Sequence, residues 1–388
     1  MAERPAPLVL VVDPGANPDP EVPFGSYAAV GLAGRRRLAI ELARRLIAAG
    51  SGVASLHPAG PAEGETFHWG RWYVAAARAL LFRVRAEGRP LDAIGYAGAG
   101  ALALADDALL EALVSAVPGE AVANNRHSTD AFLVAGQPSG RQTVEAALAA
   151  LEGCATDNAA MQCLEAAGFA IRDLASSPWS RFDVDTPLDL ALLRVGTRLP
   201  TTRRPDGVVA AYLEMATLPG GRSLEVPQLA EVGAVLRNRD AQLVVAGRVP
   251  SSAWAYLETE SACRVRCFIE ERGMRSALNA VPHSILADWL ARLGAGDLVT
   301  ELASLGDAVI LDSRVLMAAR AGSSEAAAWP PAEERFASDF LDATAVETDW
   351  LAELTEAAAG SSVPFMLGGH ALVSDGLRIL VDAAWLGR

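Results

Sequence analysis

The chain has 388 residues, 51% of them hydrophobic, and its 33 basic and 47 acidic side chains leave a net charge of −14. That is material for about two domains with sizeable cores. The negative balance argues against a nucleic-acid backbone as partner, while a local group of arginines still leaves room for a small anionic substrate.

The sequence contains no Lys, so every basic group is an Arg. Cys154, Cys163, Cys263 and Cys267 form no C-x-x-C pair, which argues against structural zinc and against a disulfide framework. They are expected as buried free thiols in a reducing compartment. The opening "MAERPAPLVLVVDPG" lacks a basic leader and has a short apolar run before Asp13, so it predicts a strand and not a signal peptide. No uncharged stretch is long and unbroken enough to span a bilayer. A soluble, cytoplasmic protein is expected.

In chain order, "PLVLVV" predicts a strand entering the Pro- and Gly-dense loop "DPGANPDPEVPFG". "GRRRLAIELARRLIAAG" has the apolar spacing of an amphipathic helix. "GVASLHP" is a strand, "RWYVAAARALLFRVRAEG" a helix, "LDAIGYAG" a strand. "ADDALLEALVSAV" is a helix with acids in its first turn, where the macrodipole favours them. "EAVANN" and "DAFLVAG" predict two further strands, "TVEAALAALEG" and "DNAAMQCLEAAG" helices, and "FAIRDL" a strand. This alternation predicts a layered α/β/α unit with a mostly parallel sheet. "RVGTRLPTTRRPDG" reads as a linker. Beyond it a second α/β domain is expected: strands in "AQLVVAGRVP", "CRVRCFIEE", "DAVILDSR" and "SVPFMLGG", with helices between. The expected division is residues 1–200 and 205–388.

The stretch "RFDVDTPLDLALL", residues 181–193, carries the most chemistry. As a strand followed by a helix, it sets Asp183 and Asp185 on one side, because strand side chains alternate with period two. Carboxylates at a strand's carboxyl end face the ligand crevice. Magnesium takes hard oxygens, commonly one or two carboxylates completed by phosphate and water. A helix cap explains part of the same pattern: Asp185 or Thr186 as N-cap, Pro187 at the first helical position, Asp189 serving the dipole. The cap does not require Asp183, and both explanations stay open.

"VANNRHSTDAFLV" sets seven polar residues between two strands. Asn124, Asn125, Ser128 and Asp130 are candidate contacts to a nucleotide or its acceptor; the same residue types also build turns. "TFHWGRW" offers His68 and two Trp residues, either to stack a base or as a structural cluster. In the second half, Glu270 and Glu271, Asp312 and Arg314, and Gly368, Gly369 and His370 all follow apolar strands. They suggest a second crevice, where the glycines allow close backbone approach.

"FDVDTPLDLALL" resembles the end of the nucleotidyltransferase-like domain of the glycosyltransferase-A type. That superfamily includes molybdopterin guanylyl- and cytidylyltransferases, phospholactate guanylyltransferases and sugar cytidylyltransferases, many of which end this domain on roughly D-x-D-T-P-x-D-L. The likeness extends loosely over residues 8–195. It implies magnesium held by Asp185, with Asp183 beside it, close to nucleotide phosphates. It also implies a turn into the closing helix at Thr186 and Pro187. Arg35, in "GRRR", stands near the place of the family's triphosphate-holding loop. Two departures are plain: the loop lacks the G-G-x-S-x-R-M-G pattern, and "IGYAGAG" replaces the strand end that carries the family's other metal-binding Asp. Residues 205–388 resemble no family.

Two functions follow. One is a magnesium-dependent nucleotidyltransferase that joins a nucleoside monophosphate to a small phosphorylated or carboxylated acceptor. The other is a non-catalytic nucleotide- or metabolite-binding protein on the same fold. Either takes a small-molecule nucleotide as partner, and neither nucleic acid nor membrane is expected. Oligomeric state is not legible from the sequence.

Overall fold

The computed structural model describes residues 6–15, 25–57, 67–88, 91–177, 179–271 and 281–386. Contacts divide the chain into two units: Met1–Pro20, Leu32–Val184 and Thr202–Val209 in the first, Glu21–Gly31, Asp185–Thr201 and Ala210–Arg388 in the second. Both are mixed α/β.

The first unit is built on six strands: β1 (Leu8–Val12), β2 (Gly52–Leu56), β3 (Ala93–Ala97), β4 (Glu120–Ala123), β5 (Ala131–Ala135) and β6 (Ala170–Asp173), in the order β2-β1-β3-β5-β4-β6. Only β5 runs against the rest. The reason is the linker length. β4 and β5 are joined by residues 124–130, and a parallel return needs a dozen or more residues. β3 and β5 are buried at every position, as apolar strands in the middle of a covered sheet must be. Trp69 and Tyr73 of the helix Trp69–Ala86 stack at 5.1 Å, and both meet Tyr96 of β3 and Phe132 of β5 edge-on. Gly70 lets that helix lie against the end of Val144–Glu152, since a Cβ there would meet the Leu151 carbonyl at 2.1 Å.

The second unit has a two-residue hairpin, β7 (Thr217–Leu218) with β8 (Arg222–Ser223), and an all-parallel sheet of β9 (Gln242–Gly247), β10 (Arg264–Ile269), β11 (Ala308–Asp312) and β12 (Phe365–Gly368), ordered β10-β9-β11-β12. β1 and β9 thus lie in separate sheets, as the alternation on either side of the Arg-rich segment predicts. The helix Pro187–Gly196 differs from expectation. It closes the first domain in the sequence, yet it groups with the second unit. Leu188 packs against Gly368 and Leu192 against Gly376, and all but two of its residues are buried. A helix apolar on nearly every side needs a core around it.

Two further expectations are corrected. Residues 181–185 form no strand. Val184 donates one main-chain bond, to the Gly100 carbonyl at 3.2 Å, in the loop after β3 and not along a strand edge. The alternation argument for Asp183 and Asp185 therefore loses its basis. Cys154 and Cys163, expected as free thiols, are paired across the turn after Val144–Glu152, whereas Cys263 and Cys267 are free. Among the described residues no helix is long and apolar enough to cross a membrane.

Candidate functional site

Because β5 is reversed, the loop 124–130 lies on the same edge of the first sheet as the carboxyl ends of the other strands. After β1, Asp13 accepts a bond from the Gly15 amide at 2.9 Å. Its carboxylate lies 3.8 Å from Arg36 Nε and 4.0 Å from His57 Nδ1, just past β2. Arg35 stands on the same helix as Arg36, Tyr27–Ala48, and is partly buried.

Asn124 is 1% exposed and organises its loop. Its Nδ2 donates to Asp130 Oδ2 at 3.1 Å and to the Ser180 carbonyl at 3.0 Å, and its Oδ1 accepts from the Asp130 and Ala131 amides at 3.0 Å each. Asn125 Oδ1 accepts from the His127 amide, and Ser128 Oγ donates to Asn158 at 2.9 Å. Of these candidates, Asn124 has both side-chain functions committed to the protein. Asp130 keeps a half-buried carboxylate.

Asp183 reaches the end of β3 from the chain that follows β6. Gly100 makes this possible, since a Cβ there would sit 2.1 Å from the Val184 carbonyl and 2.9 Å from Asp183 Oδ1. The same loop holds Leu102 at φ 60, a conformation that costs of order 1–3 kcal/mol and collects at functional sites. Tyr96 of β3 senses the surroundings. Burial, with the charges of Asp157, Asp130 and Asp183, holds its phenol well above the ordinary value.

Asp185 is exposed and its amide donates to Asp189 Oδ2 at 3.0 Å. The helix cap is a reciprocal box made without the Asp185 side chain: Thr186 Oγ1 accepts from the Asp189 amide at 3.2 Å, and Asp189 Oδ2 accepts from the Thr186 amide at 2.8 Å. Asp189 is fully buried. Burial, then the neighbouring Asp185 charge, push its carboxyl up to about 7, against the bonds it accepts. His68 caps the helix Trp69–Ala86 and Trp69 belongs to the core, whereas Phe67 is exposed and meets half-buried Trp72 at 5.6 Å; Thr66 lies outside the described residues.

No protein-family model, curated protein or solved structure matches this chain.

The second unit's strand ends are built from ion pairs. Arg248, after β9, grips Asp312, the last residue of β11, with Nε at 2.6 Å and Nη2 at 3.0 Å. Arg314 grips Asp339 with two bonds of 2.6 Å. Gly247, at φ 129, is required there because a Cβ would fall 2.3 Å from Asp312 Cβ. Burial would raise Asp312, but the Arg248 guanidinium outweighs it, helped by His370 and Arg314, and the carboxyl is held below its ordinary value. Glu270 is a helix cap, accepting from Ser284 Oγ at 2.7 Å and the Leu286 amide at 3.0 Å. Arg272 and Gly273, which follow Glu271, lie outside the described residues. Sequence reasoning missed Arg248, although it directly follows the glycine that ends a strand. It also missed Asp339, which has no local signal because its partner is 25 positions away.

Proposed function

We propose that the first unit binds a nucleotide with magnesium at its carboxyl edge and acts as a nucleotidyltransferase on a small phosphorylated or carboxylated acceptor. The observation that carries this is the Asp183 carboxylate against Gly100. It brings an acid to the end of β3, the very strand end whose own sequence, "IGYAGAG", has none. Among the described residues no three His, Cys, Asp or Glu side chains form a ready metal cage. Magnesium needs no such cage, because it usually takes one or two carboxylates and completes its shell with phosphate and water. Asp183, with Asp130 nearby, fits that donor set. When bound, the ion would neutralise phosphate charge. The chain's own part is positional. Asn124 fixes Asp130, Gly100 admits Asp183, and buried Tyr96 stays protonated beside them. The resemblance adds Asp185.

One observation favours the non-catalytic alternative. The loop 124–130 satisfies much of its hydrogen-bonding capacity internally, as a scaffold would.

The test is a thermal-shift screen of nucleoside triphosphates with and without magnesium, paired with an assay of pyrophosphate release. A ligand at 100 times its dissociation constant stabilises by about 2.7 kcal/mol. Magnesium-dependent stabilisation lost in Asp183→Asn, together with turnover in the wild type, supports the proposal. Stabilisation without turnover on any acceptor supports the alternative. No stabilisation by any nucleotide rejects the transferase and leaves only the metabolite-binding form of the alternative.

A further inference from the structure

The second unit carries a site of its own. The chain leaves β9 for β10 on one side and returns to β11 on the other. The order of connections therefore reverses between β9 and β11. In open parallel sheets, ligands bind at that reversal, outside the carboxyl ends of the strands. Arg248 and Asp312 stand at those two ends.

Their geometry is that of a held guanidinium. Asp312 is fully buried, takes Arg248 Nε and Nη2, and also accepts from the Arg314 amide at 3.2 Å. The Arg248 side chain is 18% exposed, and its Nη1 has no protein partner among the described residues. Arg314 is locked in turn by Asp339, and Gly368–Gly369–His370 closes the adjacent strand. Consecutive buried ion pairs are a weak source of stability, since apolar replacements are often neutral or better. Their concentration at the one point of this sheet where a crevice is expected calls for another reason. An Arg pinned from behind by a buried acid offers a pre-oriented edge, and guanidinium geometry matches oxyanions.

We propose that the β9–β11 switch point binds a small oxyanion, the phosphate or carboxylate end of a metabolite, on the outer edge of the Arg248 guanidinium held by Asp312. This site is independent of the nucleotide site proposed for the first unit.

The test is calorimetric titration of the full chain with inorganic phosphate, glycerol phosphate and acetate, in EDTA so that a magnesium-dependent site is silent. Saturable binding of at least one is expected, and the tightest of the three distinguishes free phosphate, phosphate ester and carboxylate. Arg248→Gln should weaken it at least tenfold, while Arg239→Gln, an exposed control, should leave it unchanged. Arg248→Gln also leaves Asp312 without its partner. Arg248→Lys, which keeps the charge and replaces the fork by a point charge, is therefore measured beside it, with circular dichroism to confirm folding. Lys should bind more weakly than wild type. No saturable binding of any of the three would overturn the proposal, as would folded Arg248→Lys or Arg248→Gln protein binding as tightly as wild type.

Discussion

The two units end their strands in opposite ways. On the first edge, Asn124, Asp130 and Asp13 are held largely by amide groups a few residues away, and Asp183 stands against a glycine. On the second, carboxylates are held by guanidinium groups that come from distant segments, and the pairs are buried. The bonds that hold the first edge are short-range, and Asp13 also has Arg36 Nε at 3.8 Å. Paired acids are neutralised and leave only the outer face of an arginine to recognise anything. The same architecture thus holds its strand-end carboxylates in two ways, by nearby amide groups on one edge and by distant guanidinium groups on the other.

The comparison is broken most easily through Asp312. Asp312→Ala strands Arg248 near a buried position and removes the acceptor of the Arg314 amide, so a loss of about 3–5 kcal/mol is expected. Asp130→Ala on the first edge removes one side-chain bond from Asn124, which keeps three others, and about 1 kcal/mol is expected. Equilibrium urea unfolding of both variants measures the difference. Equal losses would mean that the two edges are not held differently.

The next largest effect is a pH dependence from Asp189. Its folded value, about 7, lies above the ordinary 3.8. Below pH 4 the group is protonated in both states. Between about pH 4 and 7 the unfolded chain has released the proton and the folded chain has not, so stability falls as pH rises and levels off above 7. The total is on the order of a few kcal/mol. In Asp189→Asn that slope should vanish, which unfolding midpoints from pH 4 to 8 would reveal. An unchanged slope would assign it to another group.

How far these features were legible depends on the range of the interactions that make them. The strands of both sheets follow from local apolar runs and turn residues, and each predicted strand outside 181–185 is present. "RFDVDTP" misled because alternation says what a strand would look like, not whether an edge is available to pair with it. The cap at Thr186, Pro187 and Asp189 was legible, being made within four residues. The placement of Pro187–Gly196 was not, because its burial depends on Gly368 and Gly376, far along the chain. The same holds for the Arg314–Asp339 pair and for Asp183 at Gly100. Sequence spacing shows which acids exist, while depth and partner come from tertiary packing.

Thr186→Ala sharpens the local side of the comparison. It removes the hydroxyl that accepts from the Asp189 amide, and a cap of this kind is worth about 1 kcal/mol. The loss should be larger at pH 8 than at pH 5, because the Thr186 side chain also favours the charged form of Asp189, which is present only above about pH 7. An equal loss at the two pH values in urea unfolding would confine Thr186 to the backbone cap.

The smallest expected effect separates two roles of one residue. Asp185 contributes no side chain to the cap, so Asp185→Asn should not weaken the helix. Its charge is, after burial, the next cause of the raised Asp189 value. Removing it should lower that value and narrow the window in which stability falls. Since Asp185 is exposed, solvent screens the interaction, and the gain near pH 7 should be a few tenths of a kcal/mol, within the ~0.2–1 kcal/mol typical of exposed charge pairs. Below pH 4, with Asp189 protonated in either protein, the difference should close. If Asp185 also holds the metal, the same substitution should cost on the order of 10²-fold in turnover while stability rises. Measured together, a more stable and less active protein assigns Asp185 to the site. A more stable protein of unchanged activity confines it to tuning Asp189. A less stable one contradicts the capping geometry itself.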